Sequence, residues 1–552
     1  MKTKILLSIS FIFLLLSGNK TVQAQANPTD SLALVDLYNS TNGPHWKRSD
    51  NWLTSAPISK WRGVGVSKGQ VVSLSLSNNR LRGTLPASIG NFKSITSLSL
   101  TINQLTGPLP VSLGNLVTLT SLDLSSNSFS DTLPSSLGNL VNLTNLSINY
   151  NAITGVLPAS ICKLTRLQIL GFELNHLTGS LPANIGNLRS LVEMDLGENQ
   201  FTGSIPVSFY SLPNIRNIYL YFNQLSDTLS EAIGNLTKLQ FIYLDHNQFT
   251  GNIPSSFGNM KKIQTIFLAY NQFTGKIPGT FGDCSNLVEL HLTKNNLSGN
   301  LPAALANAPK LGNIYAEYNN LSGDIPPVFF DSAGIGGLIL SHNHLSSSKN
   351  FYNEKYGRTV GFVNVEYNDY NFDGLEFIAT KVLNPFYSPQ SQIKLHNNNG
   401  VLSVTAGGTL KNNIYYWFKV GQTDSVIIAR DSTYQPTTSG QYYAKVRNAI
   451  ATALTLYTDT ISIPVPAAAI AGKPSLNLFP NPVQNTLTIN GLDAKTDYDI
   501  SITDITGNVL VKVVAMRQPM VNLNVGRLQQ GTYRVYIIAN NGEKTAAQFI
   551  KE

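Results

Sequence analysis

Large apolar residues recur along most of this chain with a period of 24 residues. Each period contains an asparagine, with apolar residues five and three positions before it and two positions after it. Apolar residues two apart point to the same face of an extended chain, so each pair before the asparagine predicts a short strand. The pattern therefore predicts about thirteen stacked strands. The asparagines are Asn79, Asn103, Asn127, Asn151, Asn175, Asn199, Asn223, Asn247, Asn271, Asn295, Asn319 and Asn343, with Asn368 one residue late.

Two further positions of each period carry residues that direct the backbone. Across the eleven periods from Asn79 to Asn319, glycine stands four residues after the asparagine in nine and proline seven residues after it in ten. Asp131 and Asp227 replace the glycine, and Ser230 replaces the proline. Glycine permits the backbone conformation after the turn, and proline ends local strand pairing. The asparagine side chain can bond exposed backbone groups at the turn, so stacked copies are predicted to form a ladder.

The combined motif, L-x-x-L-x-L-x-x-N-x-L followed by x-G-x-L-P-x-x-L-G-N-L, resembles the plant-specific class of leucine-rich repeats over about residues 70–345. The fold class is therefore expected to be an α/β-type solenoid with a parallel β inner face and an irregular or 3-10 outer face. Two small all-β sandwich domains are expected to follow. We place the solenoid, with about 13 repeats, at residues 71–370 and a C-terminal cap and connection at 371–388.

Residues 27–70 are predicted to form the N-terminal cap, because a solenoid must cover its open ends. Trp61-Arg62-Gly63-Val64 resembles the W-x-G-V of leucine-rich-repeat caps. Ser59 and Val66 stand where plant caps have cysteines, so this cap is expected to depend on aromatic burial. A sugar site is the alternative reading of its tryptophans, Trp46, Trp52 and Trp61.

Short strand-like runs separated by turn residues predict an all-β domain at residues 389–466. Its sequence around Trp417 and Tyr442 resembles an immunoglobulin-like domain, with Trp417 in the core and Tyr442 as the corner tyrosine. The usual second cysteine is Ala444, so that disulfide is absent. A spacer role is expected for this domain, with a second ligand site as the alternative.

A linker at 467–474 precedes three motifs in residues 475–552. They are Leu476–Val483 (LNLFPNPV), Asp504–Gly507 (DITG) and Leu528–Tyr533 (LQQGTY), with Phe549–Glu552 at the end. This succession resembles the sorting domain of type IX secretion substrates in Bacteroidetes. The resemblance implies the type IX secretion machinery as a partner and a secreted or outer-surface location. An ordinary terminal β-sandwich is the alternative.

Residues 1–26 are predicted to be a secretory signal peptide. Lys2 and Lys4 precede the apolar run Ile5–Leu16, and Ala24-Gln25-Ala26 provides a small-x-small cleavage site. The run of about 12 residues is too short to span a membrane. No later segment reaches 18 apolar residues, so no transmembrane segment is expected.

Charge and cysteine content exclude several classes of protein. Asp, Glu, Lys and Arg make up 13% of the chain, against roughly 25% in an average soluble protein. The net charge is +8, but the basic residues are scattered, which argues against nucleic-acid binding. Cys162 and Cys284 lie five repeats apart, about 24 Å along the stack, so no disulfide is expected.

Three positions per repeat, at −6, −4 and −2 from the asparagine, should line the concave face, with the −1 position at its edge. Ser and Thr dominate them in the first repeats, whereas aromatic and acidic residues dominate later, with Lys294 the one basic residue. Exposed aromatics on rigid strands are typical of binding hot spots. The candidate ligand-binding residues are Glu193, Asp195, Tyr219, Tyr221, Phe222, Phe241, Tyr243, Asp245, Phe267, Tyr270, Glu289, His291, Tyr315, Glu317 and Tyr318.

A protein or peptide ligand is the first expectation for this face. A glycan is the second, and a structural adhesin without a discrete site is the third. The sequence has no nucleophile elbow, phosphate loop or zinc motif. We therefore expect no catalysis, cofactor or metal.

Overall fold

The computed structural model describes residues 27–330, 335–346, 360–421, 427–429, 431–464 and 477–552. The predicted signal peptide and the linker at 467–474 lie outside the described residues. The chain forms two compact units. One contains residues up to 393 together with 405–415 and 445–457, and the other contains 394–404, 416–444 and 458–552. The domain boundaries expected above stay predictions.

The first unit begins with helix α1 (Pro28–Ser40). A cluster of four rings follows the helix: Trp52 stacks on Tyr38 at 5.9 Å and lies 4.8 Å from Trp46 and 4.9 Å from Trp61. The three tryptophans are 5–6% exposed. Each indole N–H donates to a backbone carbonyl. Their burial leaves no ring face for a sugar and gives the cap its core.

Thirteen parallel strands form the inner sheet, and each is in register with the strand 24 residues away except at the last step. This confirms the strands that the apolar pairs predict. The strands are Gln70–Ser75, Ser97–Ser99, Ser121–Asp123, Asn145–Ser147, Ile169–Gly171, Glu193–Asp195, Asn217–Tyr219, Phe241–Tyr243, Thr265–Phe267, Glu289–His291, Asn313–Tyr315, Gly337–Ile339 and Val360–Asn364. Val64–Ser67 pairs antiparallel with the first and Val382–Phe386 parallel with the last.

The repeated asparagines form the predicted ladder. Asn247 is 8% exposed, and its Nδ2 donates to Leu220 O at 2.8 Å and Leu244 O at 3.1 Å. Its Oδ1 accepts from the Leu225 N–H at 2.9 Å. Each asparagine thus ties its own turn to the preceding repeat, satisfying backbone groups that the turn leaves unpaired.

A second run of short parallel strands follows the asparagines, in sheets of eight and four strands. The sequence patterns do not predict it. These strands are Arg82–Thr84, Gln104–Gly107, Ser128–Thr132, Ala152–Val156, His176–Gly179, Gln200–Gly203, Gln224–Thr228 and Gln248–Thr250, then Thr274–Gly275, Asn296–Gly299, Asn320–Gly323 and His344–Leu345.

Short 3-10 helices complete the repeats on the outer side, as expected. They are Ala87–Asn91, Val111–Asn115, Ser135–Asn139, Ala159–Lys163, Ile185–Asn187, Val207–Ser211, Glu231–Asn235, Ser255–Asn259, Gly279–Asp283, Ala303–Asn307 and Pro327–Phe330. Gly43–His45, Ile58–Lys60 and Leu410–Asn412 are 3-10 helices elsewhere.

Helix α2 (Phe372–Lys381) follows the last repeat. Its Glu376 accepts hydrogen bonds from the Asn448 side chain at 2.6 Å and from the Thr409 N–H at 3.0 Å and hydroxyl at 2.7 Å. Asp373 accepts from the Gly408 N–H at 2.8 Å. These bonds fasten the segments 405–415 and 445–457 to the helix within the first unit.

Short strands follow α2, at Leu395–Asn398, Val401–Val404, Asn413–Lys419, Ile427–Ala429, Thr433–Tyr434, Gly440–Asn448, Thr455–Tyr457 and Ile461–Ile463. Trp417 is fully buried, and Tyr442 Oη donates to Thr438 O at 2.8 Å. A buried tryptophan and a corner tyrosine bonded to the preceding backbone support the immunoglobulin-like resemblance, which stays a prediction.

Two antiparallel sheets make up residues 477–552. One contains Asn477–Phe479, Thr486–Asn490 and Met520–Asn524, and the other Asp497–Thr503, Val509–Met516, Gly531–Ala539 and Lys544–Lys551. Leu487, Ile500 and Phe549 lie in their shared apolar core. Asp504 closes a turn, and hydrogen bonds from the Thr506 side chain and from Asn508 lower its pKa to about 2.

Candidate ligand-binding face

The strand register arranges the concave face in four columns that cross the strands. The −4 position of one repeat pairs with the −4 position of the next, as Tyr219 pairs with Tyr243 and Tyr243 with Phe267. Neighbouring strands lie about 4.8 Å apart, so residues 24 positions apart in sequence stand side by side. Equal residue types in one column can therefore stack along the solenoid.

The −4 column contains a row of five neighbouring rings, which we call the central ladder; four of them are stacked, and Tyr219 is tilted against the first of these. Tyr219 lies 5.2 Å from Tyr243, and Tyr243 lies 4.5 Å from Phe267, between ring centroids. His291 stacks on Phe267 at 3.7 Å and on Tyr315 at 4.2 Å. All five residues are among the candidates, and the structure brings them together in one continuous row. The inner rings have both faces covered, so they present their edges to solvent.

The −1 column contains a second row, which we call the edge ladder. Its members, all with positive φ between 47° and 57°, are Phe222, His246, Tyr270, Lys294, Tyr318, His342 and Tyr367. His246 stacks between Phe222 and Tyr270 at 3.9 and 4.1 Å, and His342 between Tyr318 and Tyr367 at 4.0 and 4.2 Å. Lys294 Nζ lies 4.8 Å from the Tyr270 ring centre and 5.3 Å from that of Tyr318.

Four edge-ladder members, His246, Lys294, His342 and Tyr367, are not among the candidate residues. The strand pattern places the −1 position only at the edge of the face, so it gives this column less weight than the other three. The signal that reveals them is the alignment of every −1 residue at the 24-residue period, which shows an almost unbroken row of flat side chains.

A cluster of carboxylates lies beyond the N-terminal end of both ladders. Tyr221 Oη donates to Glu173 across two repeats, and Gly197 makes this possible, since a Cβ there would lie 2.6 Å from the Tyr221 ring. Asn217 Nδ2 donates to Glu193 at 2.9 Å. Burial, and then the nearby charge of Glu173, raise the pKa of Asp195 to about 7. Glu173 is a further site residue absent from the candidates.

The carboxylates of the face lack basic partners. Within the described ranges, no Lys or Arg pairs with Glu173, Glu193, Asp195, Glu198, Asp245, Glu289, Glu317 or Glu366. His246 Nδ1 lies 2.9 Å from Asp245, and His291 Nε2 lies 3.3 Å from Glu289. Burial lowers the pKa of His291, so at neutral pH it does not offset this negative charge.

Phe241 is a candidate residue that lies apart from the two ladders. It stands in the −6 column beside Asn217 and Thr265.

Cys162 and Cys284 are buried free thiols, and burial raises the pKa of Cys284 to about 11. Across the described ranges there is no group of three or more His, Cys, Asp and Glu arranged to hold a metal, and no helix is long and apolar enough to cross a membrane.

Family comparisons match three parts of the chain. Residues 70–231 match a leucine-rich repeat region, and residues 237–297 match a leucine rich repeat. Residues 477–552 match a secretion system C-terminal sorting domain. The sorting domain indicates export and a surface or secreted location. No curated protein matches the chain.

Solved structures similar to this chain include PEPR1–AtPEP1, with 28% identity over 65% of this chain and 55% of that one and a TM-score of 0.55. A second is the Arabidopsis receptor kinase HAESA in complex with the peptide hormone IDA and the co-receptor SERK1, with 27% identity over 66% of each chain and a TM-score of 0.50. The chain thus spans between 55% and 66% of their lengths.

A bacterial structure, the Leptospira interrogans leucine-rich-repeat protein LIC12759, is 26% identical over 57% of this chain and 79% of that one, with a TM-score of 0.46. The period, the strand register and the family matches agree with one another. Residues 70–231 and 237–297 are leucine-rich repeats, and residues 477–552 are a type IX secretion C-terminal sorting domain.

Proposed function

We propose that this exported protein is a non-enzymatic binding protein that holds a protein or peptide ligand on its concave face, between Glu193 and Tyr318. The observation that carries the proposal is the central ladder, five neighbouring rings on adjacent strands. Such a row gives a large contact area whose side chains lose little conformational entropy on binding.

The orientation of the rings favours a peptide over a glycan. Sugars stack on exposed ring faces, whereas Phe267 and His291 are covered on both faces by neighbours at 3.7 to 4.5 Å. Ring edges and tyrosine hydroxyls suit the amide groups and apolar side chains of a peptide. The similarity to the HAESA complex, which contains a peptide hormone, supports the same ligand class.

A glycan is a second candidate because the edge ladder ends in exposed rings. Phe222 is 50% exposed and Tyr367 is 51% exposed, and each stacks on a neighbouring ladder member on one side. Binding confined to these two ends would fit a sugar better than a peptide.

The test is to screen the purified full chain on peptide and glycan arrays, and then to measure affinity for the strongest hit. The double variant Tyr243→Ala with Phe267→Ala should weaken peptide binding by a factor on the order of a thousand, since hot-spot rings contribute about 2 kcal/mol or more each. Tyr457→Ala, which removes an exposed tyrosine outside the concave face, is the matched control.

Circular dichroism checks that each variant is folded. Unchanged affinity in a folded double variant would contradict the concave-face proposal. Hits restricted to the glycan array, and lost in Phe222→Ala or Tyr367→Ala, would favour the second candidate.

A further inference from the structure

The two ladders flank the −2 column, and we call the strip between them the ring groove. Its floor is Ala269 and Thr293, whose small side chains are 7% and 9% exposed. The walls are the flanking members of the two ladders, because the −2 position lies between −4 and −1 in every repeat. The wall residues are Tyr243, Phe267, His291 and Tyr315 on one side and His246, Tyr270, Lys294 and Tyr318 on the other.

A carboxylate closes each end of the ring groove. Asp245 and Glu317 occupy the −2 positions on either side of the floor, three repeats apart, which is about 14 Å. Asp245 already contacts His246 Nδ1 at 2.9 Å. Glu317 differs, because its Oε2 is buried and has no hydrogen-bond partner among the described residues. An unsatisfied carboxylate oxygen in a shielded place costs free energy, and rotation of the Glu317 side chain toward a donor on a ligand would recover it.

We propose that the ring groove binds an extended peptide segment of about four residues whose lysine or arginine side chain pairs with Glu317. This inference rests on the proposed function and specifies its ligand. The length follows from the distance between Asp245 and Glu317, which four extended residues span.

Charge complementarity selects a cationic segment. Among the described residues, none of the eight carboxylates on the concave face from Glu173 onward pairs with Lys or Arg, and its one lysine, Lys294, is held between two tyrosine rings. A cationic ligand is therefore attracted to the face, whereas an acidic one is repelled. Lys294 also shows that rings of the edge ladder accept a cation between them.

The experiment uses the purified full chain and four mixtures of heptapeptides. Each mixture has one central residue, Arg, Lys, Gln or Glu, and randomised residues elsewhere. The unmodified protein should retain the Arg and Lys mixtures about tenfold more strongly than the Gln mixture. Glu317→Gln, which preserves shape, should remove most of that preference and leave only the weak attraction that the other carboxylates of the face provide.

Two controls match the variants in residue type and column. Glu366→Gln removes a carboxylate from the same −2 column beyond the groove and should leave the preference intact. Thr293→Leu fills the floor and should weaken retention of all mixtures, whereas Thr101→Leu makes the same change in the −2 column of the Ser/Thr-rich repeats and should not. The Thr293 comparison keeps the inference testable if Glu317→Gln fails to fold.

The outcomes separate this inference from the proposed function. If the unmodified protein retains peptides without a basic preference, or if Glu317→Gln keeps the preference, the ring-groove assignment is wrong while peptide binding stands. If a folded protein retains no mixture and binds no array peptide, the proposed function itself is contradicted.

Discussion

Asp195 is a carboxylate of the concave face whose charged form is disfavoured by its surroundings. Burial and the charges of Glu173, Glu193 and Glu198 raise its pKa to about 7, well above the ordinary aspartate range. A folded-state pKa above the unfolded value means that the folded protein binds a proton more tightly than the unfolded chain does. Stability therefore falls as the pH rises from about 4 to about 7, and the full penalty is present above pH 7.

Asp195→Asn should consequently raise the free energy of unfolding at pH 8, by on the order of 1–2 kcal/mol, and change it little at pH 4. The amide can retain the bond that Asp195 Oδ1 accepts from the Gly197 N–H at 3.3 Å. Denaturant unfolding of both proteins at the two pH values measures the difference. An equal effect at both pH values would show that packing, rather than charge, governs this position.

The backbone conformation after the repeated asparagines can be predicted from the sequence. Glycine was expected at the fourth position after each asparagine, and its exceptions Asp131 and Asp227 adopt the same positive φ, 69° and 75°. Each aspartate bonds the next backbone N–H, at 2.7 and 2.8 Å, which makes the left-handed conformation tolerable. Local backbone chemistry of this kind can be predicted from one repeat alone.

Ring stacking was less predictable than the strands, because it depends on side chains from different repeats. The apolar period fixes which residues face inward, since a one-residue slip would expose the core. It does not determine where a long side chain on the free surface points, as Tyr221 shows by crossing Gly197 to reach Glu173. The candidate residues therefore marked the right columns and included His291, but not His246 and His342, which are held between rings of the edge ladder.

Helix α2 shows how one element depends on a single carboxylate. Burial alone would raise the pKa of Glu376, but hydrogen bonds from the side chains of Asn448 and Thr409 lower it below the ordinary glutamate value. A depressed pKa adds stability that is present above the unfolded pKa and is lost as the pH falls through the folded one. The segments 405–415 and 445–457 should therefore loosen from α2 in acid.

Glu376→Ala should lower the free energy of unfolding by about 2 kcal/mol at pH 7, because charge-assisted hydrogen bonds are lost together. Glu376→Gln should lower the free energy of unfolding by about half as much, and the stability of this variant should no longer fall in acid. Hydrogen exchange at the Thr409 amide, which donates to Glu376 at 3.0 Å, reports the local effect. Unchanged exchange in Glu376→Ala would contradict this role, and Asp36→Asn on the exposed side of α1 is the control for loss of charge.

At the scale of the whole molecule, charge is unevenly distributed. The net charge is +8, yet the concave face from Glu173 onward has eight carboxylates and Lys294 as its basic residue. The repeat assigns most positions to Leu, Asn, Gly, Pro, Ser and Thr, so the few charges that interrupt it are informative. Bulk charge would have suggested an anionic partner such as nucleic acid, whereas the position of each charge favours a cationic one.

Export should depend on the C-terminal sorting domain, which has its own apolar core around Leu487, Ile500 and Phe549. Deleting residues 475–552 should leave the remaining chain in the periplasm of a host with type IX secretion, because the recognised domain is gone while the predicted signal peptide still directs the first export step. Cell fractionation and surface proteolysis measure how much of the truncated chain and of the full-length protein is in the periplasm and how much is on the cell surface.

The truncated chain should keep its peptide-binding affinity, since the concave face lies entirely in the first unit. Surface display of the truncated chain at the normal level would refute this dependence.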